Sequence, residues 1–268
     1  MLQQQPLLDE ISMKKVYELI DSNDQFLVIY KKPDVSFHSE NGQLGLFETI
    51  KQHQGLSELY PVHRLDKITS GVMVMAKTAK ANRQLVDQFK HRQIEKYYLA
   101  IGEKKPKKKQ GLIRGDMTSA RRGALKLMPT QTNPAITQFF SKSMGTGNRL
   151  FIVKPYTGKT HQIRVALKSI GCPIMGDHLY ADAASCMAQD RAYLHAYSLA
   201  FCIDGKYYRF TELPREGASF LSSAFNSASI EFSTPWDLQW PAINRCELLK
   251  NDPLDDPQSN LAGMELDG

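Results

Sequence analysis

No apolar run in this chain approaches the roughly 18 residues that a membrane-spanning helix requires, so no membrane span is expected. The opening MLQQQPLLDEI lacks a basic stretch leading into an apolar one, which excludes a secretory signal as a reading. The four cysteines, Cys172, Cys186, Cys202 and Cys246, are scattered, with no C-x-x-C pair and no histidine ladder beside them. Neither a disulfide framework nor a structural zinc site is expected, and a reduced, cytoplasmic compartment is. No periodic repeat is present, which sets aside solenoids and propellers. What remains is ordinary globular material: 268 residues, 42% hydrophobic and 23% charged, enough for one or two buried cores.

The formal net charge is +6, and its distribution says more than its size. Lys104, Lys105, Lys107, Lys108 and Lys109 form one cluster, followed by Arg114, Arg121, Arg122 and Lys126. Residues 251–268 are instead acidic, with Asp252, Asp255, Asp256, Glu265 and Asp267, so the folded body is more basic than the total. A solvated loop and a phosphate-contacting patch both fit the lysine cluster.

Periodicity places the elements. Residues 14–20 read as a short helix, 25–30 (QFLVIY) as a strand stopped by Lys31-Lys32-Pro33, and 45–53 as a helix. Residues 61–77 (PVHRLDKITSGVMVMAK) read as a strand, a tight turn carrying Asp66, and a second strand. Residues 79–91 form an amphipathic helix, with Leu85, Val86 and Phe89 on its apolar side, and 94–101 a strand. The lysine cluster is a loop, and 111–127 a looser hairpin region. Residues 134–143 and 149–154 pair as strands, 161–170 form a helix, and 192–202 with 206–210 make a hairpin about Asp204-Gly205. Hairpins outnumber strand–helix alternations, so the fold class is α+β, with a mixed, largely antiparallel central sheet and flanking helices.

Three places can carry chemistry. Asp66 is followed by a Thr69-Ser70-Gly71 turn, and spacing alone suits a turn-capping aspartate as well as a reactive one. On a strand, Arg64 would share its side. In the helix at 161–170, Ile163, Ala166, Leu167 and Ile170 make an apolar face, and His161, Arg164 and Lys168 a cationic stripe. That stripe is either a solvated face or a source of one inward arginine that reaches Asp66. In Lys96-Tyr97-Tyr98-Leu99-Ala100 the two tyrosines face opposite ways, one to the core and one free to offer its ring to a base. Gly158-Lys159-Thr160 looks like the end of a P-loop. That motif needs a glycine five residues before Gly158, where the chain has Val153, so nucleoside triphosphate binding is excluded.

HRLDKITSG, KYYLA and GKTHQIRVALKSIGCPIMGDHLY resemble, in order and spacing, the signature blocks of the RluA family of RNA pseudouridine synthases. VIYKKP and RAYLHAYSLAF extend the similarity over roughly residues 26–210. The resemblance implies a pseudouridine synthase catalytic domain over 23–225, with an N-terminal extension at 1–22 and a C-terminal extension with the acidic tail at 226–268. It implies an isomerase that converts uridine to pseudouridine in structured rRNA or tRNA, as a monomer and with no cofactor or metal. By its motifs, Asp66 matches the catalytic aspartate, Tyr98 the tyrosine against the target base, and Arg164 the arginine paired with the aspartate. Arg64 matches the arginine that helps hold the RNA open. Lys104, Lys105, Lys107, Lys108, Lys109, His161 and Lys168 are expected RNA contacts, and Ile163 or Val165 an apolar wall. The chain begins close to the first strand block, so an upstream RNA-binding module is not expected, and Met13 could be the functional start. Two other readings stay open: a non-catalytic RNA-binding or RNA-folding protein on the same scaffold, and a glycosidase-like hydrolase using Asp66 with a second carboxylate from elsewhere.

Overall fold

The computed structural model describes residues 16–243, apart from Asn41 and Thr146. The expectations for residues 1–12, Met13, Cys246 and the acidic tail fall outside the described residues. In chain order the elements are β1 (Tyr17–Ser22), β2 (Phe26–Lys31), α1 (Leu46–His53), β3 (Tyr60–Pro61), β4 (Ser70–Ala76), α2 (Ala79–Lys90) and β5 (Glu95–Glu103). They continue with β6 (Gln110–Ser119), β7 (Leu125–Met128), β8 (Ala135–Ser143), β9 (Asn148–Pro155), α3 (Gln162–Ser169) and α4 (Ala183–Met187). β10 (Leu194–Ile203), β11 (Lys206–Thr211) and α5 (Ser223–Ser229) complete the series. The class is α+β. Among the described residues no helix is long and apolar enough to cross a membrane.

One sheet runs in the order β1-β2-β4-β10-β5-β9-β8-β6-β7, with β11 on β10 and β3 on β4. Among the described strands only β4 and β10 pair in parallel; the rest are antiparallel. β10 enters between β4 and β5, so Gly71, Ala196, Tyr98 and Val153 lie in one row across the centre. Gly71 is required there. Its φ is 115°, and a Cβ at that position would sit 2.2 Å from the Ala196 carbonyl oxygen.

Alternation along β5 divides the core. Tyr97, Leu99 and Ile101 pack on one face with Phe220, Phe225, Trp236 and Trp240. Tyr98 and Ala100 face the other side, against Ile163, Ala166 and Leu167 of α3. The expected inward face of α3 therefore forms. α1 packs with Met73 and Met75 of β4, while α2 packs against Val72 and Val74 on the opposite face.

Two local expectations need correction. Residues from Tyr17 onward are a strand, not the end of a helix, because pairing with β2 satisfies the otherwise open edge of that strand and overrides local propensity. The strand leading to Asp66 ends at Pro61. The imidazole of His63 takes over, its Nε2 accepting the Val74 N–H at 3.1 Å, and residues 62–69 become an irregular turn. The same-side argument for Arg64 and Asp66 does not apply there. β1 lies within the segment assigned to an N-terminal extension, and residues beyond 225, including Phe232 and Trp240, cover the sheet.

Candidate active site

The turn that presents Asp66 is tied down from beneath. Its Thr69 N–H donates to the Asp66 carbonyl at 3.0 Å. Leu65 is buried in the core beside it. Lys31, fully buried at the end of β2, donates its ammonium to three carbonyl oxygens, those of Lys32 (2.9 Å), Lys67 (3.0 Å) and Thr69 (2.7 Å). Burial pulls this lysine down to about 7, and the carbonyl cage replaces the water it has lost.

Above the turn stands the first helical turn of α3. Arg164 is 7% exposed in its side chain and directs Nη1 to Asp66 Oδ2 at 3.3 Å. Its other edge forks onto Asp177, with Nε to Oδ2 at 2.7 Å and Nη2 to Oδ1 at 2.8 Å. Asp177 is fully buried and also accepts the Leu179 N–H at 3.1 Å. One guanidinium thus bridges a hidden carboxylate and one that is 27% exposed, and the hidden partner fixes its plane.

His161 precedes α3 in a left-handed conformation (φ 56°) that turns its ring toward Asp66, with Nε2 4.0 Å from Oδ2. The Tyr180 hydroxyl accepts the Leu125 N–H at 2.9 Å and lies 3.0 Å from His161 Nδ1. Burial raises the Tyr180 phenol, so it stays protonated and donates to Nδ1. Burial and the neighbouring Arg164 lower the imidazole. The consistent arrangement is a neutral His161 with its proton on Nε2, facing Asp66.

These groups open onto a cleft of about 650 Å³ between the Asp66 turn, the end of α2, the start of β5 and the lead-in to α3. Tyr98 forms part of its wall, whereas Tyr97 faces the opposite core beside Trp240 at 5.9 Å. Burial, with Asp66 nearby, raises the Tyr98 phenol and keeps it neutral. Ile163, Phe89 and Leu194 supply apolar wall. Val165 is buried elsewhere and does not contribute. Among the described lining residues Asp66 is the only carboxylate, against Arg64, Lys90, Arg92, Lys96, Lys159 and Arg164.

A family model described as RNA pseudouridylate synthase matches residues 25–169. The chain belongs to the RNA pseudouridine synthase family. This is a family of isomerases. An uncharacterized RNA pseudouridine synthase of Haemophilus influenzae is 41% identical over 82% of this chain and 97% of its own length. Ribosomal large subunit pseudouridine synthase C of Rickettsia bellii is 36% identical over 50% of this chain, which spans 46% of that relative. The structure of human RNA pseudouridylate synthase domain containing 1 superposes with a TM-score of 0.64 at 21% identity, over 81% of this chain and 95% of that one, a likeness of fold.

Within this pseudouridine synthase fold, Asp66, Tyr98, Arg164, Arg64 and His161 meet at one cleft. Arg64 is exposed on its rim and forms no ion pair with Asp66. Lys104, Lys105, Lys107, Lys108 and Lys109 do not line the cleft. They follow β5 at the end away from Lys96 and Tyr98, with Lys104 bonded to Asp182 at 2.8 Å. Lys168, in the last turn of α3, is also outside the cleft. Sequence reasoning missed Asp177 and Tyr180, although both lie in the quoted GDHLY stretch. It also passed over the cleft cations Lys90, Arg92, Lys96 and Lys159.

Proposed function

We propose that this chain isomerises uridine to pseudouridine in structured ribosomal or transfer RNA, with Asp66 as the catalytic nucleophile. The carrying observation is the lone carboxylate, held by Arg164, on a cleft whose other charged side chains are cationic. The reaction breaks the bond from C1′ to N1 and makes one from C1′ to C5. A proton leaves C5 and one is gained at N1. No electron or group is lost overall, so the chemistry calls for neither a redox cofactor nor a metal. The Asp66 carboxylate either attacks C1′ or removes a sugar proton to begin elimination. Arg164 orients it and balances its charge.

The target base must leave its stack at a cost of a few kcal/mol. Stacking on Tyr98, worth about 1–3 kcal/mol, and phosphate attraction to the cationic rim offset that cost. Arg64, exposed on the rim, is the residue that in this reading holds the RNA open. The apolar wall keeps water from the detached base. The name of the Rickettsia relative favours ribosomal RNA. A glycosidase would need a second available carboxylate. Asp177, the nearest partner of the same arginine, is fully buried with both oxygens engaged, which argues for isomerisation over hydrolysis.

The test is to incubate the purified protein with unmodified ribosomal and transfer RNA transcripts and map pseudouridine by carbodiimide-blocked primer extension. New pseudouridine at defined uridines is the expected result. Unchanged uridine in both would leave only an RNA-folding role, and free uracil would indicate a hydrolase. Lys104–Lys109, being remote from the cleft, are proposed to touch phosphates further along the RNA, and Lys168 to add to them. Neutralising these lysines should weaken binding and flatten the dependence of log affinity on log salt; an unchanged slope would leave the cluster a solvated loop.

A further inference from the structure

Lys96 has no place in the chemistry above. It shares a face of β5 with Tyr98, two residues on, and sinks into the cleft wall. Among the described residues its ammonium makes no hydrogen bond and no ion pair. Its ammonium lies over the face of the Phe89 ring, with Nζ 5.5 Å from the centroid. The contrast with Lys31 is direct, since that buried ammonium is caged by three carbonyls. Burial lowers Lys96 to about 8 with no protein group to offset it, while part of its surface stays open to the cleft.

The atom faces the Gly158-Lys159-Thr160 lead-in of α3. A Cβ placed on Gly158 would lie 3.8 Å from Nζ, so the absence of a side chain leaves the ammonium open to the backbone there. Gln162 shapes this lead-in, its Oε1 accepting the Lys159 N–H at 3.0 Å and the Thr157 hydroxyl at 2.7 Å. The N–H groups of Gly158 and Thr160 have no acceptor among the described residues. The positive end of an eight-residue helix follows directly. The unpartnered ammonium and Gly158 meet on the cleft lining, and unspent backbone donors and a helix start follow within a few residues, a combination that suits an anion.

We propose that Lys96 and the Gly158–Thr160 lead-in form a seat for a single RNA phosphodiester beside the nucleotide that reaches Asp66. This rests on the RNA-isomerase reading, because it is the shared cleft that makes RNA the source of the phosphate. The seat takes one phosphate rather than a triphosphate chain. Position 153, where a P-loop turns on glycine, is a buried valine in β9. The GKT stretch therefore keeps the anion chemistry of a helix start without the loop that would wrap a nucleotide tail.

Lys96→Met tests the seat by fluorescence anisotropy with a labelled, uridine-containing RNA hairpin. Affinity should fall about tenfold, and the slope of log affinity against log salt should become shallower by about one. The melting temperature should hold, because the ammonium has no partner in the folded protein to lose. Lys96→Arg should restore most of the affinity. A hairpin carrying one neutral methylphosphonate next to the target uridine should bind the wild type as weakly as Lys96→Met binds the unmodified RNA, with no further loss in the variant. Competition by inorganic phosphate that is equal in wild type and Lys96→Met places free phosphate elsewhere and supports the RNA source. Wild-type affinity and slope in Lys96→Met overturn the seat, as does lost affinity at an unchanged slope. Binding is read without turnover, so a wild type that forms no pseudouridine would sink the functional proposal while the salt slope still decides this one.

Discussion

Asp66→Asn is expected to lower pseudouridine formation by about 10⁴-fold or more, the scale that follows when the proposed nucleophile, working as part of a unit, is removed. The substitution keeps the size of the side chain, and the turn beneath it is held by backbone groups and by Lys31 rather than by the carboxylate. The local fold should therefore survive. RNA affinity should be kept or slightly improved, since the one negative group on a cationic cleft is neutralised. Release of tritium from RNA labelled at uridine C5, measured beside anisotropy on the same preparation, separates the two effects. An active Asp66→Asn protein would end the assignment of the nucleophile.

Arg164→Met has the largest expected effect on stability, roughly 3–5 kcal/mol in urea unfolding, because it strands a fully buried Asp177 without its cation. It also frees Asp66 from its anchor, so activity falls with it. Adding Asp177→Asn to the same chain removes the stranded charge and should recover more than half of the lost stability while leaving activity absent. That split between folding and turnover distinguishes an arginine that serves both carboxylates from one that only packs. Arg164→Lys is not a conservative change here. A single ammonium cannot fork onto Asp177 and still reach Asp66, so stability returns in part and turnover does not. A double variant that regained turnover would show that Asp66 needs no cation.

Much of this architecture is legible in the sequence. β2 and β4 declare themselves as short apolar runs buried on both faces, and α3 by its helical period. β1 does not, since what makes it a strand is the open edge of β2, a partner outside its own window. The lead-in to the Asp66 turn reads as strand beyond Pro61 and is not, for a related reason: His63 replaces a backbone acceptor with a side-chain one, which no alternation reveals. The pairing of Asp66 with Arg164 spans 98 residues; the stripe on α3 leaves it as one of two readings, and the ordered blocks choose it. Asp177 follows Arg164 by 13 residues in a loop with no helical or strand register to relate them. The lysine cluster was plain as charge, but its distance from the cleft depends on which end of β5 the cleft occupies. Lys96 was hidden by its neighbours, since a lysine between Glu95 and Tyr97 looks like ordinary strand surface until its missing partner is seen.

The central place of β10 sets an order on the life of the molecule. Asp66, Tyr98, Arg164 and Asp177 all precede residue 194, yet the sheet row that brings the Asp66 turn beside Tyr98 runs through Ala196. A growing chain thus possesses every proposed reactive group well before it possesses the strand that unites them. An N-terminal piece that stops short of β10 lacks the strand that pairs with both β4 and β5. The closure that strand makes joins residues more than a hundred positions apart and belongs to the slow, non-local part of folding. In this sense the proposed site is completed late: its sheet is whole only once the last central strand has been laid in.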